Sequence, residues 1–241
     1  MPFVDTILSP VLVPFVRQKE NTIVVVVDIL RSTTTICSAI DCGATVWPVQ
    51  TVEEAFEAKQ KGHLIAGDGP KGNMEFTDFG NSGQRIKNAD VKGKSIYLYS
   101  VNGVKAIAKM QENNPEQIIV ASFVNISAIT DYLLKQNKNV MLLCSGWRGQ
   151  FCIEDTIFCG ALAERLCNKG FDCDDDSTFA ALDLWDKAKG NLMDYVQKAT
   201  HLKLLVGMQM EESFDYAFEM DSCNSVPIVV GKKIIAANLD Q

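Results

Sequence analysis

Most residues able to do chemistry fall in short polar segments that follow apolar runs. Asp28-Ile29-Leu30-Arg31-Ser32-Thr33-Thr34-Thr35 follows 23–27, and Gly67-Asp68-Gly69 follows 64–66. Asn81 and Ser82 lie in a glycine-flanked turn, and Ser100-Val101-Asn102-Gly103-Val104-Lys105 follows 95–99. The run 139–144 leads into Ser145-Gly146-Trp147-Arg148-Gly149-Gln150-Phe151-Cys152-Ile153-Glu154-Asp155. Asp28 suits a metal ligand, a nucleophile or a base. Arg31 offers a forked contact to a phosphate or sulfonate. Ser32, Thr33 and Thr34 place hydroxyls where a helix begins, a position that holds anions; the plainer alternative is that Asp28 or Ser32 caps that helix. Asn81 and Ser82 supply neutral hydrogen bonds, and Lys105 adds charge. Asn102-Gly103 allows close approach of backbone to a phosphate, or is only a tight turn. Glu154 and Asp155 are oxygen donors of the kind Mg²⁺ takes, with Arg148 nearby. As acids in a first helical turn they would equally complement the macrodipole. Cys144, with no histidine near it in sequence, is a poor candidate for thiol chemistry.

These segments need a scaffold that brings them together. Runs at 23–27, 44–49, 64–66, 95–99, 117–121, 139–144, 226–230 and 233–236 read as strands. Helical patterns lie near 33–41, 52–61, 103–112, 125–136, 153–169, 177–189 and 191–206. Strands alternating with helices predict an α/β fold, a largely parallel or mixed sheet between two helical layers. In such a sheet the polar segments share the carboxyl edge, where open α/β folds bind ligands. The two runs around Gly231 suit a hairpin at a sheet edge. The stretch 67–94 is long for a plain connection, as functional loops often are.

The chain has 241 residues, enough for one domain or two closely packed lobes. With 23 basic against 30 acidic side chains, the net charge of -7 argues against a nucleic-acid partner. It leaves room for one local anion pocket. Apolar runs are too short to span a membrane, and no signal peptide is read. Two histidines exclude a three-histidine zinc site. Eight cysteines without a C-x-x-C pair suit reduced thiols in the cytoplasm. A homo-oligomer is compatible with the sequence.

Six segments, in order, resemble the 2-phosphosulfolactate phosphatase family of coenzyme M biosynthesis: VVVVDILRSTTTICSAIDCGA, FGNSG, VNGVKAI, ASFVN, SGWRGQFCIEDTIFCGA and SVPIVV. The resemblance covers roughly residues 1 to 235. It implies an α/β fold particular to the family and Mg²⁺-dependent hydrolysis of a small anionic phosphorylated substrate, 2-phosphosulfolactate. It also implies that Asp28, Arg31, Ser32, Thr33, Asn81, Ser82, Asn102, Gly103, Glu154 and Asp155 match motif positions. On this reading the metal ligands come from among Asp28, Asp68, Glu154 and Asp155. Asp28, Arg31, Glu154 and Asp155 are then the catalytic group, while Arg31, Lys105, Arg148 and the turn amides neutralise the substrate. The chain departs from the family pattern at Gly67-Asp68-Gly69, at Gly83 and at Tyr99–Lys105, so substrate choice is the point to test. A non-catalytic or altered-specificity binder of an anionic metabolite is the alternative. A haloacid-dehalogenase-type phosphatase would need a second aspartate where Leu30 stands.

Overall fold

A computed structural model describes residues 1–16, 19–69, 72–208 and 214–238. Pro70 and Lys71, within the long 67–94 stretch, lie outside them. Among the described residues one sheet has ten strands. In chain order the elements are β1 (Val4–Ile7), β2 (Thr22–Val27), α1 (Ser32–Asp41), β3 (Thr45–Val49), α2 (Val52–Gln60), β4 (Leu64–Gly69), β5 (Gly72–Asn73), α3 (Gly83–Lys87), β6 (Ser95–Tyr99) and α4 (Gly103–Gln111). Then come β7 (Gln117–Ala121), α5 (Ile126–Gln136), β8 (Asn139–Cys144), α6 (Ile153–Cys167), α7 (Asp176–Ala188), α8 (Leu192–Val196), α9 (Thr200–Gly207), α10 (Phe214–Ala217), β9 (Pro227–Val230) and β10 (Lys233–Ala236).

The strand order is β1-β8-β2-β7-β9-β10-β3-β6-β4-β5. β1, β8, β2 and β7 are mutually parallel, as are β3, β6 and β4. β2 explains the three layers. Its six residues are all buried, and alternate ones feed opposite cores. Ile23, Val25 and Val27 pack with α5 and α6 residues, whereas Val24 and Val26 pack with α1 and α4 residues. A strand covered on both faces has no polar side to present, hence its unbroken apolar run.

Three expectations need correction. The C-terminal pair is a hairpin, but it does not lie at a sheet edge. β9 pairs with β7 and β10 with β3, both antiparallel, so the hairpin joins the two parallel halves. The helix expected over 191–206 is two helices, α8 and α9, separated by a turn in which Lys198 and Ala199 amides bond Tyr195 and Val196 carbonyls. Cys167 and Cys173 form a disulfide across the turn between α6 and α7, where free thiols were expected. β1, which the sequence reading did not assign, extends the sheet beyond β8. No described helix is long and apolar enough to cross a membrane.

Candidate active site

The polypeptide leaves β2 at Asp28 and turns into α1 through a loop tied to itself. The Thr33 amide donates to the Asp28 carbonyl at 3.0 Å, and Thr33 Oγ1 accepts from the Asp28 amide at 2.9 Å. Thr34 Oγ1 donates to the Ile29 carbonyl at 2.9 Å and shares a 2.6 Å bond with Ser122 Oγ, which follows β7. Thr35 Oγ1 donates to Asn81 Oδ1 at 2.8 Å. Asp155, in the first turn of α6, accepts from the Ile29 amide on Oδ1 at 2.9 Å and from the Gly146 amide on Oδ2 at 3.0 Å. A carboxylate holding two loops by their amides fixes the strand ends relative to each other.

These restraints shape a cleft at the carboxyl edge of the sheet. Asp28, Leu30 and Arg31 line it from the end of β2, Asp68 and Gly69 from β4, and Ser100, Val101 and Asn102 from the end of β6. Trp147 and Arg148 enter after β8, and Asn81 comes from the turn before α3. α9 closes the side with His201, Leu204 and Leu205, and Met208 follows it. Asp28 Oδ2 accepts from Ser32 Oγ at 2.7 Å and from the Gly103 amide at 2.8 Å. Gly103 has no room for a side chain: a methyl there would collide with Ser32 Oγ and lie 2.7 Å from Asp28 Oδ2. Arg31 Nη2 donates to Asp68 Oδ2 at 2.8 Å, and Asn81 Nδ2 donates to Asp68 Oδ1 at the same distance. At the mouth the Arg148 amide donates to Asn102 Oδ1 at 3.1 Å, and its guanidinium lies 4.8 Å from the Trp147 ring centre.

The charges are unevenly compensated. Burial pushes the Asp28 carboxyl up; Ser32, His201 and the Gly103 amide oppose this, and Asp68 adds to it. Asp155 is pushed well above the carboxylate range by burial and by the negative charges of Glu154 and Asp28, with the Ile29 amide opposing. Glu154 is buried and bonds His201 Nδ1 through Oε1 at 2.8 Å. That contact aligns the imidazole, whose ring lies 6.0 Å from that of Trp147.

The sequence-predicted residues thus separate into groups. Asp28, Arg31, Asp68, Asn81, Asn102 and Arg148 line one cleft. Ser32, Thr33 and Thr34 direct their hydroxyls to Asp28, to its backbone, and to Ile29 and Ser122. Ser82 caps α3 by accepting from the Arg85 amide at 3.3 Å. Lys105 is exposed on α4, and its side chain is not part of the cleft wall. The four carboxylates proposed as metal ligands do not close into one cage: Asp28 and Asp68 line the cleft, Asp155 is engaged by amides on both oxygens, and Glu154 faces His201. The hydrogen bond with the Cys159 thiol, and then burial, push the Cys144 thiol well up. The sequence reading passed over His201 and Trp147. No motif flags His201, because the glutamate that orients it lies 47 residues earlier in the chain.

A family model described as 2-phosphosulpholactate phosphatase matches residues 8–232. A protein of Thermotoga maritima named probable 2-phosphosulfolactate phosphatase is 32% identical over 94% of this chain and 95% of its own length. Proteins with the same name from Caldanaerobacter subterraneus and Gloeothece citriformis are 32% and 31% identical, over 88% and 85% of this chain and 89% and 87% of theirs.

Proposed function

The chain belongs to the 2-phosphosulpholactate phosphatase family of phosphoric monoester hydrolases, and we propose that it hydrolyses 2-phosphosulfolactate to sulfolactate and phosphate with the help of Mg²⁺. The observation that carries this reading is the meeting of Asp28, Asp68, Arg31, Arg148 and His201 on one cleft. A substrate with a phosphate, a carboxylate and a sulfonate needs several cationic contacts, and an acidic protein must supply them locally.

Mg²⁺ takes one or two carboxylates, keeps several waters and shares substrate phosphate oxygens. Asp28, whose Ser32 and Gly103 bonds fall on Oδ2, fits that demand and would hold the ion, while Asp68, bonded by Arg31 and Asn81 on its two oxygens, anchors Arg31 beside it. When bound, it would supply charge neutralisation to the phosphoryl group and acidify a water. Arg31, fixed by Asp68, would contact the phosphoryl oxygens. Arg148, supported by the Trp147 ring, stands at the mouth to meet the acidic tail. Ser32 and the Gly103 amide hold Asp28 Oδ2 in place, so the carboxylate does not reorganise during the reaction. Asp155 braces the 28–31 loop against the 144–148 loop from behind. His201, aligned through Nδ1 by Glu154, would deliver a proton to the departing alkoxide oxygen.

The test is a phosphate-release screen of phosphorylated hydroxy acids, phosphosulfolactate and phospholactate included, with Mg²⁺ and with chelator. Release from phosphosulfolactate that stops in chelator and returns with Mg²⁺ is expected. Full activity in chelator would remove the metal from the mechanism. Ligand-induced stabilisation with no phosphate released by any substrate would make the protein a binder of an anionic metabolite.

A further inference from the structure

Cys152 is the residue before α6, at a position where serine, threonine, aspartate or asparagine usually caps the helix. Its side chain makes no capping bond. Instead Cys152, Glu154 and His201 each place a donor atom within 4.8 Å of the others'. They are the one such group of three among the described residues. All three are buried, at 4%, 1% and 8% exposure. Glu154 uses Oε1 on His201 Nδ1, while its buried Oε2 has no partner of good hydrogen-bond geometry, the Cys152 thiol being the donor next to the carboxylate. A buried carboxylate oxygen without a donor loses its hydration with nothing in return, so such atoms call for an explanation. A second pocket is lined by the same three residues together with Trp147, Phe151 and Lys198, and gives an ion a way in. The Lys198 ammonium lies 3.8 Å from the Tyr195 ring centre.

We propose that Cys152, Glu154 and His201 form a site for a soft divalent transition-metal ion, with Zn²⁺ the natural occupant. Thiolate, imidazole and carboxylate are the donor types Zn²⁺ takes, and three protein donors leave one position for water. Mg²⁺ prefers oxygen alone, so donor softness separates this site from the Asp28 carboxylate, which does not line the second pocket. Occupation releases two protons to solvent, that of the Cys152 thiol and the one shared between His201 Nδ1 and Glu154 Oε1, and puts two bonds to the metal in place of that hydrogen bond. No electron is transferred. The binding site stands independently of the phosphatase reading. Its effect on turnover rests on that reading: an ion on Nδ1 leaves Nε2–H on a neutral, metal-bound imidazole, a weaker acid than the imidazolium, so Zn²⁺ inhibits in the presence of Mg²⁺.

The experiment is a Co²⁺ titration of the metal-stripped full chain, followed by absorption. One Co²⁺ per chain with a thiolate-to-metal charge-transfer band is expected. Zn²⁺ should displace it, and excess Mg²⁺ should not. Cys152→Ser should abolish the band and weaken Zn²⁺ binding by more than about 100-fold, beyond the usual cost of losing an outer partner. Cys42→Ser, which removes a thiol outside the cluster, should keep the band. Absence of the band in the unaltered protein, its survival in Cys152→Ser, or displacement by Mg²⁺ would overturn the site, whatever the activity assays report.

Discussion

Helix α1 has an aspartate close to each end, and their surroundings are opposite. Asp28, just before the helix, is buried, and its hydrogen bonds come from a serine hydroxyl and a glycine amide. Asp41, its last residue, is half-buried; Lys87 Nζ stands 2.9 Å away, and the amides of Asn224 and Ser225 donate at 2.8 and 3.2 Å. Burial pushes both carboxyls up. At Asp41, however, Lys87 and the two amides outweigh burial and hold the carboxyl below its usual range. At Asp28 burial prevails. A carboxylate that already has its cation is a clasp. One held in place by neutral donors keeps its charge for a cation from outside, which on the proposed reading is the metal ion.

The largest expected effect breaks the Asp28 end. Asp28→Asn should lower kcat by about 10²–10³-fold, the equivalent of roughly 3–4 kcal/mol of lost charge stabilisation, with circular dichroism unchanged. Turnover near that of the unaltered enzyme would reduce Asp28 to a structural residue. His201→Gln should lower kcat by about 10²-fold and flatten the pH profile on the limb that reports the proton donor. Glu154→Gln, acting through His201, should cost less and shift that limb without moving KM. An unchanged profile in both variants would exclude the dyad.

A smaller effect sharpens the contrast through pH. With its pKa raised, folded Asp28 keeps its proton where the unfolded chain has lost it, and Asp155 does the same. Stability of the chelated protein should therefore fall as pH rises from the ordinary carboxylate value toward the raised ones, then level off. Asp41 works in reverse: its contribution is present above the ordinary value and lost as pH falls through its lowered one. Thermal melts across this range should show the fall in chelator, and Mg²⁺ should raise Tm more at neutral than at acidic pH. Melts that climb steadily to neutrality in chelator would contradict it. The smallest effect is expected at the clasp. Asp41→Asn should cost about 1 kcal/mol, discounted for partial exposure, and leave kcat alone.

Much of this arrangement was legible in the residues. The apolar runs marked the parallel strands because strands buried on both faces carry no polar positions. Their shared edge then placed Asp28, Arg31, Asp68, Asn81, Asn102 and Arg148 around one cleft. What escaped depended on contacts between distant parts of the chain. His201 is an isolated residue on a helix, with meaning only beside Glu154. The roles of Asp155, Thr33 and Thr34 hinge on which backbone amides and carbonyls come within reach, and spacing does not encode that. Lys105 follows Gly103 by two positions on a helix, which turns it away from the cleft and toward solvent. The hairpin around Gly231 was readable as a hairpin, but its neighbours in the sheet were not.

That hairpin has a consequence for biogenesis. β7 and β3 have no partner on their facing sides until β9 and β10 wedge between them. Both are synthesised after the eight strands that precede them, so the nascent protein carries two open sheet borders while translation proceeds. Such borders recruit other chains. Arrest of translation before residue 227 should therefore leave a product that self-associates rather than one that is merely inactive.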